Sequence, residues 1–295
     1  MKTGVSINDL HQRFAFDEMI GKLAEIGYDC VDFAFTGTYG VPLDVFTGPR
    51  DGWVKKYRGE RAVMDAAGIS ASQCHALYPT DFAGGQRLTD TCLDLFKKQI
   101  EAAAIIGSPY IVIHPINIAL YERDKELDFE RNMEAFARLK PVLDEFGVRL
   151  GVENMFGWDG VRRRNCPTGC SLPEDMIRYI DSANAAAGGD TFVGCLDTGH
   201  MLINCVQPAS AVRKLGNRLK LLHVHDNFAV SDNHNAPGLG VTDWHAFAAA
   251  LKDAGYDGCF SMELSYPHFL DIDPALVWDY ARYAYAAAKA IISLM

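Results

Sequence analysis

The sequence has no long apolar run and no excess of basic residues. Its 295 residues include 28 Lys and Arg against 38 Asp and Glu, which gives a formal net charge of −10. No apolar run approaches the roughly 18 residues of a membrane span, and no secretory signal follows Met1. An acidic balance disfavours binding along a nucleic-acid duplex. We therefore expect a cytoplasmic protein that does not bind membranes and for which an extended nucleic-acid backbone is a disfavoured partner, although the charge leaves room for a local basic patch.

The sequence also lacks the cysteine density of a disulfide-stabilised secreted domain. It has eight cysteines in 295 residues, too sparse for such a framework. Cys166 and Cys170 lie together in a predicted loop, but no second pair completes a zinc tetrad. Several others lie in apolar runs, where cysteine acts as a small hydrophobic residue, and are expected to be reduced core residues: Cys30, Cys74, Cys195 and Cys259.

One structural unit recurs along the chain: an amphipathic helix that ends at a glycine, followed by a short apolar strand. Glycine supplies the left-handed conformation that ends a helix. Counting the first strand, this pattern predicts eight strands, at 5–7, 28–35, 69–76, 110–114, 148–153, 191–197, 219–225 and 259–264.

Eight units of about 37 residues fit a closed parallel (β/α)8 barrel, that is, a TIM barrel, with residues 1–295 in one domain. An open doubly wound sheet is the alternative. No Gly-x-Gly-x-x-Gly follows the first strand, so we expect no nucleotide cofactor. The long connections 36–50, 155–171 and 226–242 all follow strands, which would place them on the rim where barrels bind substrates.

Six consecutive predicted strands end in residues that bind metal ions. A lone histidine is more often a hydrogen-bonded core residue, but a barrel would bring all six ends to one rim. We predict a divalent cation, Mn²⁺, Zn²⁺, Co²⁺ or Mg²⁺, bound by three carboxylates and one imidazole. These ligands are Glu153, Asp197, His223 and Glu263.

The other histidines near these strand ends have two open interpretations. They bind substrate hydroxyl groups, or they bind additional metal ions, with His75 and His114 near Glu153. His200 would then be joined by Asp232 and His234 from the connection after the seventh strand. The segment 232–234 taken alone also fits a polar turn.

At these residues the sequence resembles the xylose isomerase-like TIM barrel superfamily. This group includes sugar and sugar-phosphate isomerases and epimerases, inosose dehydratases and the endonuclease IV repair enzymes. The resemblance covers nearly the whole chain and is most specific at VEN (152–154), LDTGH (196–200), HVHDN (223–227) and the segment 232–244. It implies the same four metal ligands.

The resemblance also implies roles for individual residues. In the tagatose 3-epimerase-like members, the glutamates matching Glu153 and Glu263 move the proton, and the histidine matching His200 contacts substrate. In endonuclease IV, two additional zinc ions are bound at the positions that match His75, His114, His200, Asp232 and His234.

Several positions depart from both groups. Endonuclease IV has Gly, Cys and Asn where this chain has Ile116, Gly199 and His225. The acidic balance also lacks the basic loops of a duplex binder. The epimerases carry an arginine shortly after the histidine of the seventh strand, and this chain has none between Lys220 and Lys252. A ketohexose 3-epimerase specificity is therefore in doubt.

The primary hypothesis is a metal-dependent isomerase or epimerase of a sugar, sugar phosphate or inosose. Such an enzyme abstracts a proton α to a carbonyl group, and Glu153, Glu263 and His200 are the predicted catalytic residues. Further predicted substrate contacts are His75, His114, the stacking aromatics Trp158 and Tyr78, and Arg162 of the run 162–164.

Some of these interpretations compete with others. Core packing would equally explain Trp158 and Tyr78, and a solvated charged face would explain Arg162. The alternative function is multi-zinc phosphodiester hydrolysis of the endonuclease IV kind. A metal-stabilised sugar-binding protein without turnover is a third. The sequence leaves open the sugar, the choice among isomerisation, epimerisation and dehydration, the number of metal ions, and whether the protein is a homo-oligomer.

Overall fold

Eight parallel strands form one sheet in the computed structural model of the chain, which describes residues 1–11, 13–35, 44–76, 89–117, 121–266 and 272–295. The strands of this sheet are β1 (Thr3–Ser6), β2 (Cys30–Ala34), β3 (Ser70–His75), β4 (Tyr110–Ile113), β5 (Arg149–Glu153), β8 (Phe192–Asp197), β9 (Leu219–His223) and β10 (Phe260–Met262).

The sheet closes on itself into a barrel. Neighbouring strands follow chain order from β1 through β5 to β8 and β9, and β10 pairs with β1. Between β10 and β9, the Val224 N–H donates to the Ser261 carbonyl at 2.8 Å, and the Glu263 N–H donates to the Val224 carbonyl at 3.1 Å. The predicted (β/α)8 barrel is therefore confirmed.

The helices alternate with the strands and cover the outside of the barrel. Glycines with positive φ end several of them as predicted, for example Gly27 at 112° and Gly68 at 72°. The helices are α1 (Asn8–His11), α2 (Phe16–Ile26), α3 (Arg50–Ala67), α4 (Asp90–Ile106), α5 (Tyr121–Phe146), α6 (Pro173–Ala187), α7 (Thr198–Ile203), α8 (Pro208–Leu215), α9 (Trp244–Asp253) and α10 (Leu276–Ile292).

The barrel strands are buried on both faces, and the apolar faces of the helices pack against them. Leu23 of α2 and Leu139 of α5 are fully buried, as their helical spacing predicts. The eight cysteines form no disulfide bond. Of the described helices, none combines the length and the apolar character that crossing a membrane requires.

A two-stranded antiparallel hairpin interrupts the connection between β5 and α6. Its strands are β6 (Gly157–Asp159) and β7 (Arg164–Cys166), and both fall in the segment predicted as a long loop. The Asp159 carboxylate accepts hydrogen bonds from the backbone N–H groups of Val161 and Arg162 at 2.9 and 3.0 Å, which stabilises the turn between the strands.

Candidate metal centre

The four predicted metal ligands meet at the carboxyl-terminal rim of the barrel. Glu153, Asp197 and His223 are the last residues of β5, β8 and β9, and Glu263 directly follows β10. One ligand atom from each of the four lies within 4.8 Å of the ligand atoms of the other three. The parallel strands therefore bring the four side chains to a single point that one cation can occupy.

His223 lies at the centre of this group. Its Nδ1 is 3.0 Å from Glu153 Oε1 and 3.2 Å from Glu263 Oε2. Its Nε2 is 2.9 Å from Oδ2 of Asp32, a buried carboxylate in β2, which also accepts a hydrogen bond from Gln73 at 2.9 Å. When Asp32 accepts the Nε2–H, the lone pair of Nδ1 faces the two glutamates.

Asp32 was missed by the sequence interpretation. The available signal was an acidic residue in the middle of the apolar run 30–35 of the predicted strand. Buried carboxylates are rare unless they are paired, so this residue type at this position pointed to a partner. The partner, His223, is 191 positions away in the chain.

The buried carboxylates of the centre are held in the ionised form by neighbouring imidazoles. Burial alone would raise the pKa of Glu153, but His223 and His114 outweigh it and hold that pKa well below its usual range. Burial likewise acts to raise the pKa of Asp197, and His200 and His225 overcome it and lower that pKa.

Asp197 also caps helix α7, since its Oδ1 accepts the backbone N–H of His200 at 2.7 Å. A carboxylate at the end of a strand and the start of a helix is expected to be either a helix cap or a metal ligand. In the structure the Asp197 side chain caps the helix and also lies within the group of four predicted ligands.

A second cluster lies beside the first. Asp232 Oδ2 is 3.2 Å from His200 Nε2 and 3.0 Å from His234 Nε2. His225 completes the cluster, and its Nε2 also contacts both Asp197 carboxylate oxygens at 3.0 Å. The sequence interpretation included His200, Asp232 and His234 as candidate ligands but gave His225 no role.

His75 and His114 form a third group with Glu153. The Nε2 atoms of the two histidines are 3.1 Å apart, and they lie 3.5 and 3.3 Å from Glu153 Oε2. Burial lowers the pKa of His114 below its usual value. Glu153 therefore contacts both the first ligand group, through Oε1, and the histidine pair, through Oε2.

Three histidines of the site have one ring nitrogen against a backbone carbonyl oxygen. A carbonyl only accepts, so Nδ1 carries a proton, and Nε2 is the ring nitrogen that faces the cluster. The contacts are His75 Nδ1 to Ala76 O at 2.9 Å, His200 Nδ1 to Asn154 O at 2.8 Å, and His234 Nδ1 to Glu263 O at 3.1 Å.

A cavity of about 470 Å³ opens above the centre, and its lining includes Glu153, Glu263, His75, His114 and His200. This volume is in the range of small-molecule sites. Among the lining residues that the sequence interpretation missed are two neighbouring polar residues of one helix.

These residues are Asn8 and Asp9 of helix α1. Burial raises the pKa of Asp9. The sequence signal for a place in the cavity was their position close after the first strand, since the carboxyl ends of all strands in a barrel lie at one rim.

The remaining predicted substrate contacts are placed differently. Trp158 lines the cavity and is 60% exposed, which excludes core packing. Arg162 lines a separate neighbouring cavity, and its Nη1 donates to Asp159 Oδ2 at 3.1 Å. Tyr78 lies outside the described residues.

Comparison with known proteins agrees with this architecture. The sequence model of the family named Xylose isomerase-like TIM barrel matches residues 20–285. The chain is 25% identical to the D-psicose 3-epimerase of Enterocloster bolteae, over 84% of this chain and 76% of that protein. It is 22% identical to the fructoselysine 3-epimerase of Shigella flexneri, over 90% of each chain.

Solved structures show the same fold. D-Psicose 3-epimerase with D-tagatose from Clostridium cellulolyticum H10 superposes with a TM-score of 0.73 at 17% identity, covering 99% of each chain. The IOLI protein "with a binding zinc atom" superposes with a TM-score of 0.72 at 16% identity, covering 100% of this chain and 98% of that one. With its barrel, its converging strand ends and the match over residues 20–285, this chain belongs to the xylose isomerase-like TIM barrel family.

Proposed function

We propose that this protein is a divalent-metal-dependent isomerase or epimerase that acts on a sugar, a sugar phosphate or an inosose. The observation that carries the proposal is the position of Glu153 and Glu263. Both carboxylates contact Nδ1 of His223, at 3.0 and 3.2 Å, and both line the cavity. Two carboxylates in one cavity suit a reaction that removes a proton and returns it.

The donor set fits a divalent cation. Glu153, Asp197 and His223 are fully buried, and buried carboxylates are stable only when they are paired or bind a metal ion. Asp32 orients His223 as a supporting carboxylate orients a metal-binding histidine. When bound, a cation such as Mn²⁺, Zn²⁺, Co²⁺ or Mg²⁺ would polarise the substrate carbonyl as a Lewis acid.

The residues of the chain divide the proton transfer between them. Glu153 is ionised because its pKa is held low, and the side chain of Glu263 is 23% exposed to the cavity. One carboxylate takes the proton from the carbon beside the carbonyl, and the electron pair moves onto the carbonyl oxygen. The other carboxyl group returns a proton to the opposite face or to the neighbouring carbon.

The cavity supplies groups that position the substrate. His200 and His114 are placed to bind hydroxyl groups, and Trp158 offers an exposed aromatic face for a sugar ring. The relatives named above are ketose and fructoselysine epimerases, which supports a sugar with a carbonyl group. We further propose that residues 1–295 form one barrel domain.

Deuterium exchange tests the proposal. The purified protein, with its metal content measured, is incubated in heavy water with D-fructose, D-psicose, D-tagatose, fructoselysine, D-fructose 6-phosphate and an inosose. We expect deuterium at the carbon beside the carbonyl in at least one of them. Tight binding of one compound without exchange into any would instead indicate a sugar-binding protein.

A second candidate function is multi-metal phosphodiester hydrolysis. The observation in its favour is that Asp232 joins His200 and His234 next to the first ligand group, so the rim offers donors for more than one cation. Metal analysis and abasic-DNA cleavage decide between the functions. About three zinc ions per chain together with strand cleavage would favour hydrolysis.

A His200→Gln variant gives a further discriminating result. Loss of one metal ion per chain would identify His200 as a ligand. Unchanged metal content with lost exchange would identify it as a substrate contact.

A further inference from the structure

A second cavity, of about 930 Å³, opens beside the candidate metal centre. Its walls are the hairpin β6–β7, the segment 203–205 at the end of α7, and residues 229–230 after β9. Trp158 lines both cavities. The walls at 203–205 and 229–230 belong to segments that also reach the metal centre. Helix α7 carries His200, and the segment after β9 carries Asp232. The two cavities therefore adjoin each other at Trp158.

The second cavity is positively charged, although the chain carries a formal net charge of −10. The charged residues of its lining are Arg162, Arg163 and Arg164 against Asp159 alone. The Asp159 carboxylate accepts hydrogen bonds from the Arg162 backbone N–H, the Val161 N–H and the Arg162 guanidinium, which together lower its pKa. Its charge is compensated inside the hairpin, so Arg163 and Arg164 are available to an anion.

The hairpin fixes where these two arginines lie. Arg163 is in the turn with φ of 54°, a conformation that few non-glycine residues adopt, and Arg164 begins β7 opposite Asp159. Asn165 Nδ2 donates to the Val230 carbonyl at 2.8 Å and joins the hairpin to the opposite wall. The backbone of both arginines therefore belongs to a braced edge of the cavity.

We propose that the second cavity binds the remote, anionic end of a sugar conjugate whose carbonyl end reaches the metal centre. The ligand class is a ketose joined to an apolar body that bears a carboxylate or a phosphate. Guanidinium groups bind both anions through paired N–H donors, and Trp158, Val161 and Ile203 provide the apolar wall. This inference rests on the proposed sugar chemistry and names its substrate class.

Binding measurements separate this inference from the catalytic proposal. Calorimetric titration at constant ionic strength compares D-fructose, which is neutral, with fructoselysine, which carries a carboxylate, and D-fructose 6-phosphate. The proteins are the wild type, an Arg163→Gln/Arg164→Gln double variant, and Arg213→Gln as a control at an exposed arginine of α8. The double variant should weaken binding of the preferred anionic ligand by about tenfold or more, and D-fructose binding should be unchanged.

The two probes that carry an anionic group identify the anion, and because fructoselysine also carries two ammonium groups, its decisive result is the loss of affinity in the double variant. Preference for fructoselysine indicates a carboxylate, and preference for D-fructose 6-phosphate indicates a phosphate. Equal affinity of the wild type for the neutral and both anionic ligands, or equal affinity of the wild type and the double variant for the anionic ligands, overturns the inference. If the wild type prefers a ligand with an anionic group but exchanges deuterium into none of the ligands, the subsite is supported. Only the proposed catalysis is then contradicted.

Discussion

The imidazole of His225 occupies the space that a side chain at residue 199 would fill. A Cβ atom added to Gly199 would lie 1.9 Å from His225 Cε1 and 2.7 Å from Asn227 Nδ2. Gly199 and His225, two of the positions at which this chain departs from endonuclease IV, are therefore in contact. Glycine at 199 leaves the room in which His225 Nε2 reaches both Asp197 oxygens at 3.0 Å.

We expect Gly199→Ala to displace His225 and to destabilise the protein by about 1–3 kcal/mol, because the added methyl group overlaps buried atoms. Metal binding at the rim should weaken as well. Urea unfolding and metal analysis measure both effects. The control is Gly21→Ala in α2, where no heavy atom lies within 4 Å of the new Cβ, and it should leave metal content unchanged. Wild-type stability and metal content in Gly199→Ala would contradict the steric argument.

The contact between Asp32 and His223 predicts a loss of metal affinity on Asp32→Asn. The neutral amide oxygen accepts the Nε2–H more weakly than the carboxylate does, so the orientation of His223 Nδ1 toward Glu153 and Glu263 is less firmly held. Removal of such a supporting carboxylate weakens metal binding by about 10- to 100-fold. Titration against a competing chelator measures the affinity.

A matched control for this variant lies at the opposite end of the same strand. Asp29 precedes β2, and its Oδ2 accepts the backbone N–H of Thr3 at 2.9 Å, away from the metal centre. Asp29→Asn should leave metal affinity unchanged. An equal loss in both variants would mean that the effect comes from general destabilisation and not from orientation of His223.

The repeating strand pattern predicted the barrel, because strands buried on both faces are visible as apolar runs. It also predicted which residues meet at the rim, since a barrel places all carboxyl ends of its strands together. Asp32 could not be assigned in this way. Its carboxylate reaches His223 across the barrel interior, while its neighbour Phe33 packs outward against Tyr57 of α3. Sequence alone does not show which face of a doubly buried strand is turned inward.

The hairpin β6–β7 was missed for another reason. Its strands have three residues each and show no alternation of apolar and polar side chains. The turn is stabilised by the Asp159 side chain, and the pair Asp159-Gly160 was the one local signal. Only the structure shows that this hairpin forms a wall of a second cavity next to the first.

The second cluster of the rim should release protons when it binds a metal ion. Burial acts to lower the pKa of His234, but Asp232 outweighs it and raises that pKa to about 10. Asp197 and Asp232 likewise overcome burial and raise the pKa of His200. Both imidazoles are therefore protonated at neutral pH in the metal-free protein, and their Nε2 atoms must lose a proton to bind a cation.

We expect release of about two protons per ion bound at this cluster near pH 7, and an affinity that rises with pH. Calorimetry in buffers of different ionisation enthalpy counts the protons. A His234→Gln variant should release fewer. Metal binding with no change in bound protons would show that these histidines are not ligands.

Glu263 provides the most direct test of proton transfer. Its side chain is 23% exposed, whereas that of Glu153 is fully buried, so Glu263 is the carboxylate that a substrate in the cavity meets first. At saturating metal, Glu263→Gln should slow deuterium exchange by about 10²- to 10⁴-fold, because the amide cannot accept a proton. Glu263→Asp keeps the carboxylate and should retain part of the rate. Glu145→Gln, at an exposed position of α5, is the control. Full exchange in Glu263→Gln would assign the proton transfer to Glu153 alone.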